Sequence, residues 1–266
     1  MSQARFSVRT AVAEGFGFWR GNVLKASGPL VAAALAGSLS PLVSGRLALA
    51  MLAVNFLALV MAQGALYRVA LDGVGEGAKG RRGPLGIQWG WLESRLALVT
   101  ILLFVLLAFV AAILIFILVV ALLGVAGGDA AMSATSPDEL MAGLSPAARR
   151  AFNIGAFLAF VALLVLITRL LMAGPATVAK GRLQFLSTLA ITRGQVPRLA
   201  MAVLLVNLPI FALQGLAWAI VELVPAPGVD HWVDGVATAL TPLFFIPVSV
   251  GMTSYVYQRL REGADQ

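Results

Sequence analysis

The chain has 266 residues, of which 60% are hydrophobic and only 12% charged. A soluble domain carries about 25% charged residues, so roughly half the charge needed to cover a globular surface is missing, and a mean hydropathy of +0.94 points the same way. That composition excludes an ordinary water-soluble fold and leaves a chain whose main solvent is lipid. The formal net charge of +7 comes from scattered Lys and Arg, which suits a membrane face and not a nucleic-acid partner. Cysteine is absent and His231 is the single histidine, which removes disulfides, Cys/His metal sites and Ser-His-Asp chemistry within a membrane. No cofactor is expected.

Six segments are long and apolar enough to cross about 30 Å of hydrocarbon. They run approximately 24–43, 48–71, 96–123, 152–173, 199–224 and 235–257. The expected fold is an all-α membrane protein, a single polytopic domain over 1–266, with six transmembrane helices paired as three helical hairpins. Interfacial elbow helices join the pairs.

The first 22 residues hold Arg5, Arg9, Glu14 and Arg20 without a long apolar run, so no cleavable signal is expected. Span one is the weakest, diluted by Gly28, Pro29, Gly37 and Pro41. The short outer loop 44–47 makes spans one and two a tight antiparallel pair. In the inner segment 72–95, Gly75-Glu76-Gly77-Ala78-Lys79-Gly80 fits a dinucleotide fingerprint, but it follows a membrane helix and not a strand, so it reads as a basic loop.

Span three runs from Leu96 to Leu123 without a charge, about 42 Å at the helical rise, so it must tilt or protrude. The outer segment 125–151 carries Ser136-Pro137-Asp138-Glu139, the start signal of a short surface helix. Span four ends on Arg169, which reaches for the headgroups or ligates an anion. The following segment 174–198 places Phe185, Leu186, Leu189 and Ile191 among basic residues, the pattern of a helix lying in the interface.

Asn207-Leu208-Pro209 in span five, and Pro242 and Pro247 in span six, interrupt backbone ladders. Such breaks either line a substrate site or pack as kinks against neighbours. His231, between Asp230 and Asp234, reads as a solvated loop histidine, since nothing else completes a metal shell. No acidic residue lies at the centre of a span, which argues against a proton- or cation-coupled carrier.

Orientation follows from the basic residues. With a cytoplasmic N-terminus, only Arg46, Arg149 and Arg150 of the 19 Lys and Arg fall outside, leaving sixteen inside, a decisive positive-inside bias. Both termini are then cytoplasmic. Tyr67, Tyr255 and Tyr257 sit at inner helix ends, as interfacial aromatic anchors do.

Ala78-Lys79-Gly80-Arg81 recurs as Ala179-Lys180-Gly181-Arg182. Arg68 matches Arg169 at the same offset, and Arg95-Leu96-Ala97 matches Arg198-Leu199-Ala200. Arg20-Gly21 against Arg193-Gly194 opens a weaker third copy. The ordered set reads as an internal repeat of interfacial helix and span, a plan known in transporters.

Leu189-Ala190-Ile191-Thr192-Arg193-Gly194-Gln195, followed by Arg198-Leu199, resembles a motif of bacterial six-helix integral membrane proteins of unknown function. In these a Trp-x-Leu-Thr-Arg-Gly-Asn element precedes the fifth span. They are similar to the membrane domain joined to some glycerophosphodiester phosphodiesterases. Gly174-Pro175-Ala176 and Tyr257-Gln258-Arg259-Leu260-Arg261 are similar to that group as well. The resemblance implies a protein of the bacterial cytoplasmic membrane. No phosphodiesterase domain is recognised in the chain, so no catalysis carries over.

The function expected from these features is non-enzymatic. A basic cytoplasmic face organises lipid or protein partners, with Lys79, Arg81, Arg82, Arg169, Lys180, Arg182, Arg193 and Arg198 on anionic headgroups and Trp89, Trp91 and Phe185 as apolar keels. The alternative is a transporter or lipid-moving protein with a site between pseudo-repeats. Reporter fusions after residues 75, 138, 188 and 228 should read inside, outside, inside, outside, and an outside signal at 75 or 188 overturns the topology.

Overall fold

The computed structural model describes residues 6–72, 83–126, 144–224 and 228–262. Among them there is no strand, and six helical stretches are long and apolar enough to cross a membrane. The helices are α1 (Val8–Asn22), α2 (Ser27–Leu39), α3 (Gly45–Ala70), α4 (Trp91–Ala126), α5 (Pro146–Leu170), α6 (Ala173–Lys180), α7 (Thr188–Ile191), α8 (Val196–Leu223) and α9 (Val229–Glu262). The chain is an all-α, multi-pass membrane protein.

Local chemistry explains where the helices start. The Ser7 hydroxyl accepts from the Thr10 amide to open α1, and the Ser145 hydroxyl accepts from Ala148 to open α5, with Pro146 in its first position. Pro197 stands in the first turn of α8, where its missing N–H costs nothing. Gly181 ends α6 with a left-handed φ of 59°, the backbone that glycine adopts without a Cβ clash. Thus the Gly181 of the recurring Ala-Lys-Gly-Arg motif is a helix terminator. The other copy, 78–81, lies outside the described residues, as does the expected surface helix at 136–139.

Three helices begin before the expected spans. The one that carries the first span starts at Val8, because α1 continues through a 3-10 turn at Val23–Ala26 into α2. The fourth starts at Pro146, six residues early, once Ser145 supplies the cap. The sixth starts at Val229, so His231, Trp232 and Asp234 belong to the first turns of α9 and not to a loop.

The packing divides into two compact units, 1–100 with 169–266, and 101–168. In the first, α9 is the central helix and touches α1, α2, α3, α6 and α8. Its contact with α1 is close because α1 presents small residues: Ala11 and Gly15, four apart, are buried. A Cβ on Gly15 would stand 2.8 Å from the Val248 carbonyl oxygen. The Trp19 indole Nε1 then donates to the Leu243 carbonyl at 3.2 Å. Leu243 lies four residues before Pro247, whose missing N–H leaves that carbonyl without its helical donor. The carbonyl that Pro247 leaves free in α9 is therefore satisfied by a neighbouring helix.

Elsewhere in this unit the Tyr67 hydroxyl meets Thr253 Oγ1 at 3.3 Å, and Gln258 Nε2 donates to the Ala70 carbonyl at the end of α3. Helix α6 lies within the core, with Ala173, Ala176, Thr177 and Val178 fully buried. The segment 174–198, expected to lie in the interface, is thus a core helix followed by a surface loop and the single turn of α7.

In the second unit α4 is apolar on every side, with Phe104, Phe109, Ile115 and Phe116 all exposed. A helix that is hydrophobic all round and unburied by protein is one covered by lipid. Gly155 of α5 sits against Leu118 of α4, where a Cβ would come within 3.2 Å of the leucine side chain.

The α1–α9 contact yields a paired expectation. Gly15→Ala should lower the thermal midpoint in detergent, costing about 1–3 kcal/mol as overpacking against backbone. Gly21→Ala meets nothing within 4 Å and should be neutral or raise stability by up to about 1 kcal/mol through helix propensity. Equal effects of the two changes would overturn this account of the contact.

Candidate functional site at the basic end of the first unit

The end of α3 meets the start of α4 and the end of α9, and the start of α4 meets the end of α6, with basic residues at each of these termini. They divide into two groups by what the guanidinium or ammonium touches.

The first group is turned inward. Arg68, one turn from the end of α3, is buried, and its Nη1 lies 2.5 Å from Glu93 Oε1. Glu93 is wholly buried. Its other oxygen, Oε2, accepts the Gly90 amide at 3.0 Å, while the Gly90 carbonyl accepts from Ser94. Glu93 thus closes a capping box at the start of α4 and places a carboxylate at the positive end of the helix dipole. Gly64 precedes Arg68 by one turn on the same face of α3. A Cβ there would stand 2.7 Å from Glu93 Oε1, so the carboxylate fits only because residue 64 has no side chain.

Arg95, two residues further along α4, donates through Nη1 to the Gly181 carbonyl. That bond ties the entry of α4 to the end of α6. Arg169 is half-buried and donates through Nη2 to the Leu189 carbonyl at 2.6 Å. Thr192 Oγ1 reaches back to the Arg169 carbonyl at 3.4 Å. Arg169 therefore clamps α7 to the end of α5. Lys180 Nζ donates to Gln184 Oε1 at 3.2 Å, within a loop knitted by Thr177 and Ser187 to the same glutamine.

The second group is turned outward. Arg182 and Arg193 are exposed and Arg198 is half-buried, and among the described residues none of the three guanidinium groups has a partner. Leu183 and Leu186 are exposed beside Arg182, and Phe185 is half-buried. On the α3–α4 side Trp89 and Trp91 are exposed, Trp91 by 82%. These are the apolar residues that the sequence assigns to an interfacial keel. Lys79, Arg81 and Arg82 lie outside the described residues.

Of the eight expected lipid contacts, Arg169 and Lys180 have internal bonds, while Arg182 and Arg193 are exposed and Arg198 is half-buried. The Arg68–Glu93 pair escaped the sequence reading. Its signal was there in Gly90-x-x-Glu93 at the mouth of the most apolar span, a capping pattern with an acid where an acid is costly.

Removing one member of a buried ion pair strands the other charge, at a cost of about 3–5 kcal/mol. Glu93→Ala should therefore lower the thermal midpoint sharply, whereas Arg68→Met with Glu93→Ala should cost much less than the two single changes added. Additive losses in that double-mutant cycle would show that the two side chains do not depend on each other. Comparison with known protein families, with curated proteins and with solved structures finds no match for this chain.

Proposed function

We propose that this chain is a non-enzymatic protein of the bacterial cytoplasmic membrane, with both termini inside, that organises anionic lipid and partner proteins through its basic end. The observation that carries the reading is the division among the arginines. Arg68, Arg95 and Arg169 each make an internal bond, while Arg182, Arg193 and Arg198 hold no partner among the described residues, and exposed Leu183 and Leu186 follow Arg182. A cation over an apolar rim is the arrangement that a headgroup layer accommodates, the apolar part in the acyl boundary and the charge among phosphates. Lys79, Arg81 and Arg82 belong to the same reading by sequence. The likeness of 189–199 to bacterial six-helix membrane proteins supports the assignment to that membrane.

The transporter alternative draws less support. Asn207 Nδ2 donates to the Val203 carbonyl of its own helix at 2.7 Å, and the carbonyl freed by Pro247 is taken by Trp19. Two of the polar groups that a broken-helix substrate site would use are therefore engaged within the fold.

Each basic residue near an anionic leaflet contributes about 1 kcal/mol. Changing Arg182, Arg193 and Arg198 together to Gln should therefore reduce copurified phosphatidylglycerol and cardiolipin several-fold, with the pattern of fusion reporters unchanged. If retention of anionic lipid is the same in the variant, these arginines serve insertion alone and the reading fails.

A further inference from the structure

A cavity of about 350 Å³ opens at the same end of the first unit, away from Arg182. Its size falls within the range of small-ligand pockets, about 300–1,000 Å³. Leu24, Ala65, Val69 and Leu85 give it apolar walls, and Lys25 and Gln88 supply polar groups. Local backbone chemistry builds the floor. Gly86, at a φ of 78°, lies so close to the 3-10 turn that a Cβ would stand 2.7 Å from the Lys25 carbonyl oxygen. The loop is therefore pressed onto the start of α2.

Two features of the walls are unusual. Leu85 holds a left-handed φ of 54°, a conformation disfavoured for any residue with a branched side chain, yet it is 63% exposed at the cavity. A strained apolar residue that gains no burial from its strain needs an occupant to explain it. The second feature is Gln88. Its Oε1 accepts the Gly83 amide at 2.6 Å, which fixes the amide plane, and its Nε2 is buried without any hydrogen-bond partner. Lys25 is an exposed cation whose contact is the neutral Asn22 Oδ1 at 2.7 Å. The cavity therefore presents the exposed Lys25 ammonium above apolar walls, with the Gln88 amide fixed in its lining.

We propose that this cavity holds one anionic phospholipid, with an acyl segment against Leu24, Val69 and Leu85 and the headgroup phosphate at Lys25. The proposal shares with the function above the reading that this end faces anionic headgroups, but it rests on different residues. Charge complementarity and depth both favour that occupant. Exposed Trp89 and Trp91 flank the loop, and tryptophan settles at headgroup level, which sets the mouth of the cavity where phosphates lie. A free phosphate would leave the apolar walls bare. An acyl chain gains little by moving from lipid to a leucine-lined wall, so the walls fix position while Lys25 supplies the preference for negative charge.

The test uses the full chain in nanodiscs of phosphatidylcholine and phosphatidylglycerol, with bound lipid counted by native mass spectrometry after release into detergent. Val69→Trp fills the cavity from a half-buried position and should remove one retained phospholipid. Lys25→Gln, at an exposed position that leaves the fold intact, should keep that lipid but lower its phosphatidylglycerol-to-phosphatidylcholine ratio about fivefold. Inorganic phosphate should not compete. The Arg182, Arg193 and Arg198 variant should retain this one lipid, which separates failure here from failure of the wider reading. An unchanged lipid count in Val69→Trp, an unchanged ratio in Lys25→Gln, or displacement by inorganic phosphate overturns the proposal.

Discussion

A polar group inside a membrane protein has no water to fall back on, and each unpaired one costs several kcal/mol. The packing of the first unit follows from how three such groups are met. Pro247 frees the Leu243 carbonyl, and Trp19 donates to it across 224 residues of sequence. Glu93 closes the start of α4 and needs a cation, which Arg68 brings from α3. The Ala70 carbonyl, left over at the end of α3, accepts from Gln258 of α9. Each contact joins two different helices, and together they bind α1, α3, α4 and α9 where apolar packing alone is weak. Between helices already in lipid there is little hydrophobic drive to associate, so small residues at close approach and satisfied polar groups must set the arrangement.

Small residues do the first of these jobs. Gly15 lets α1 lie on the backbone of α9, Gly64 makes room for the Glu93 carboxylate, and Gly174 stands where a Cβ would be 2.9 Å from the Tyr67 hydroxyl. In every case the glycine is a cavity shaped for a specific neighbour, not a flexible joint.

What the sequence made legible divides along the same line. Composition and hydropathy are properties of a segment alone, and they placed α3 at 48–71 against an observed Gly45–Ala70. Caps are local too, yet the early start of α5 was missed because Ser145-Pro146 precedes the apolar run instead of adjoining it. Helix α1 was not recognised as continuing toward the first span, since its buried face is made of Ala11 and Gly15, which carry little hydropathy. Glu93 was overlooked because acids were sought at span centres, whereas this one sits at a helix start whose partner lies on another element. The acceptor role of Leu243 could not be read at all: Pro247 announces a freed carbonyl, but the donor that takes it is a property of the tertiary fold.

The arginines show how one residue type serves two ends in such a protein. A guanidinium is always charged and carries five donors, so a buried one must find acceptors and an exposed one will seek anions. Arg68, Arg95 and Arg169 have found theirs in a carboxylate and two main-chain carbonyls at helix ends. Those carbonyls sit at the negative pole of a helix or in a turn that no helix satisfies, so the inward arginines are bound to the local dipoles. Arg182 and Arg193 follow immediately on the elements so fixed, with Gly181 ending α6 and Thr192 held by the Arg169 carbonyl. The inward set therefore aims the outward one. A cluster of basic residues at helix ends is usually taken as a single topological signal. Here half of it builds the rigid rim from which the other half projects.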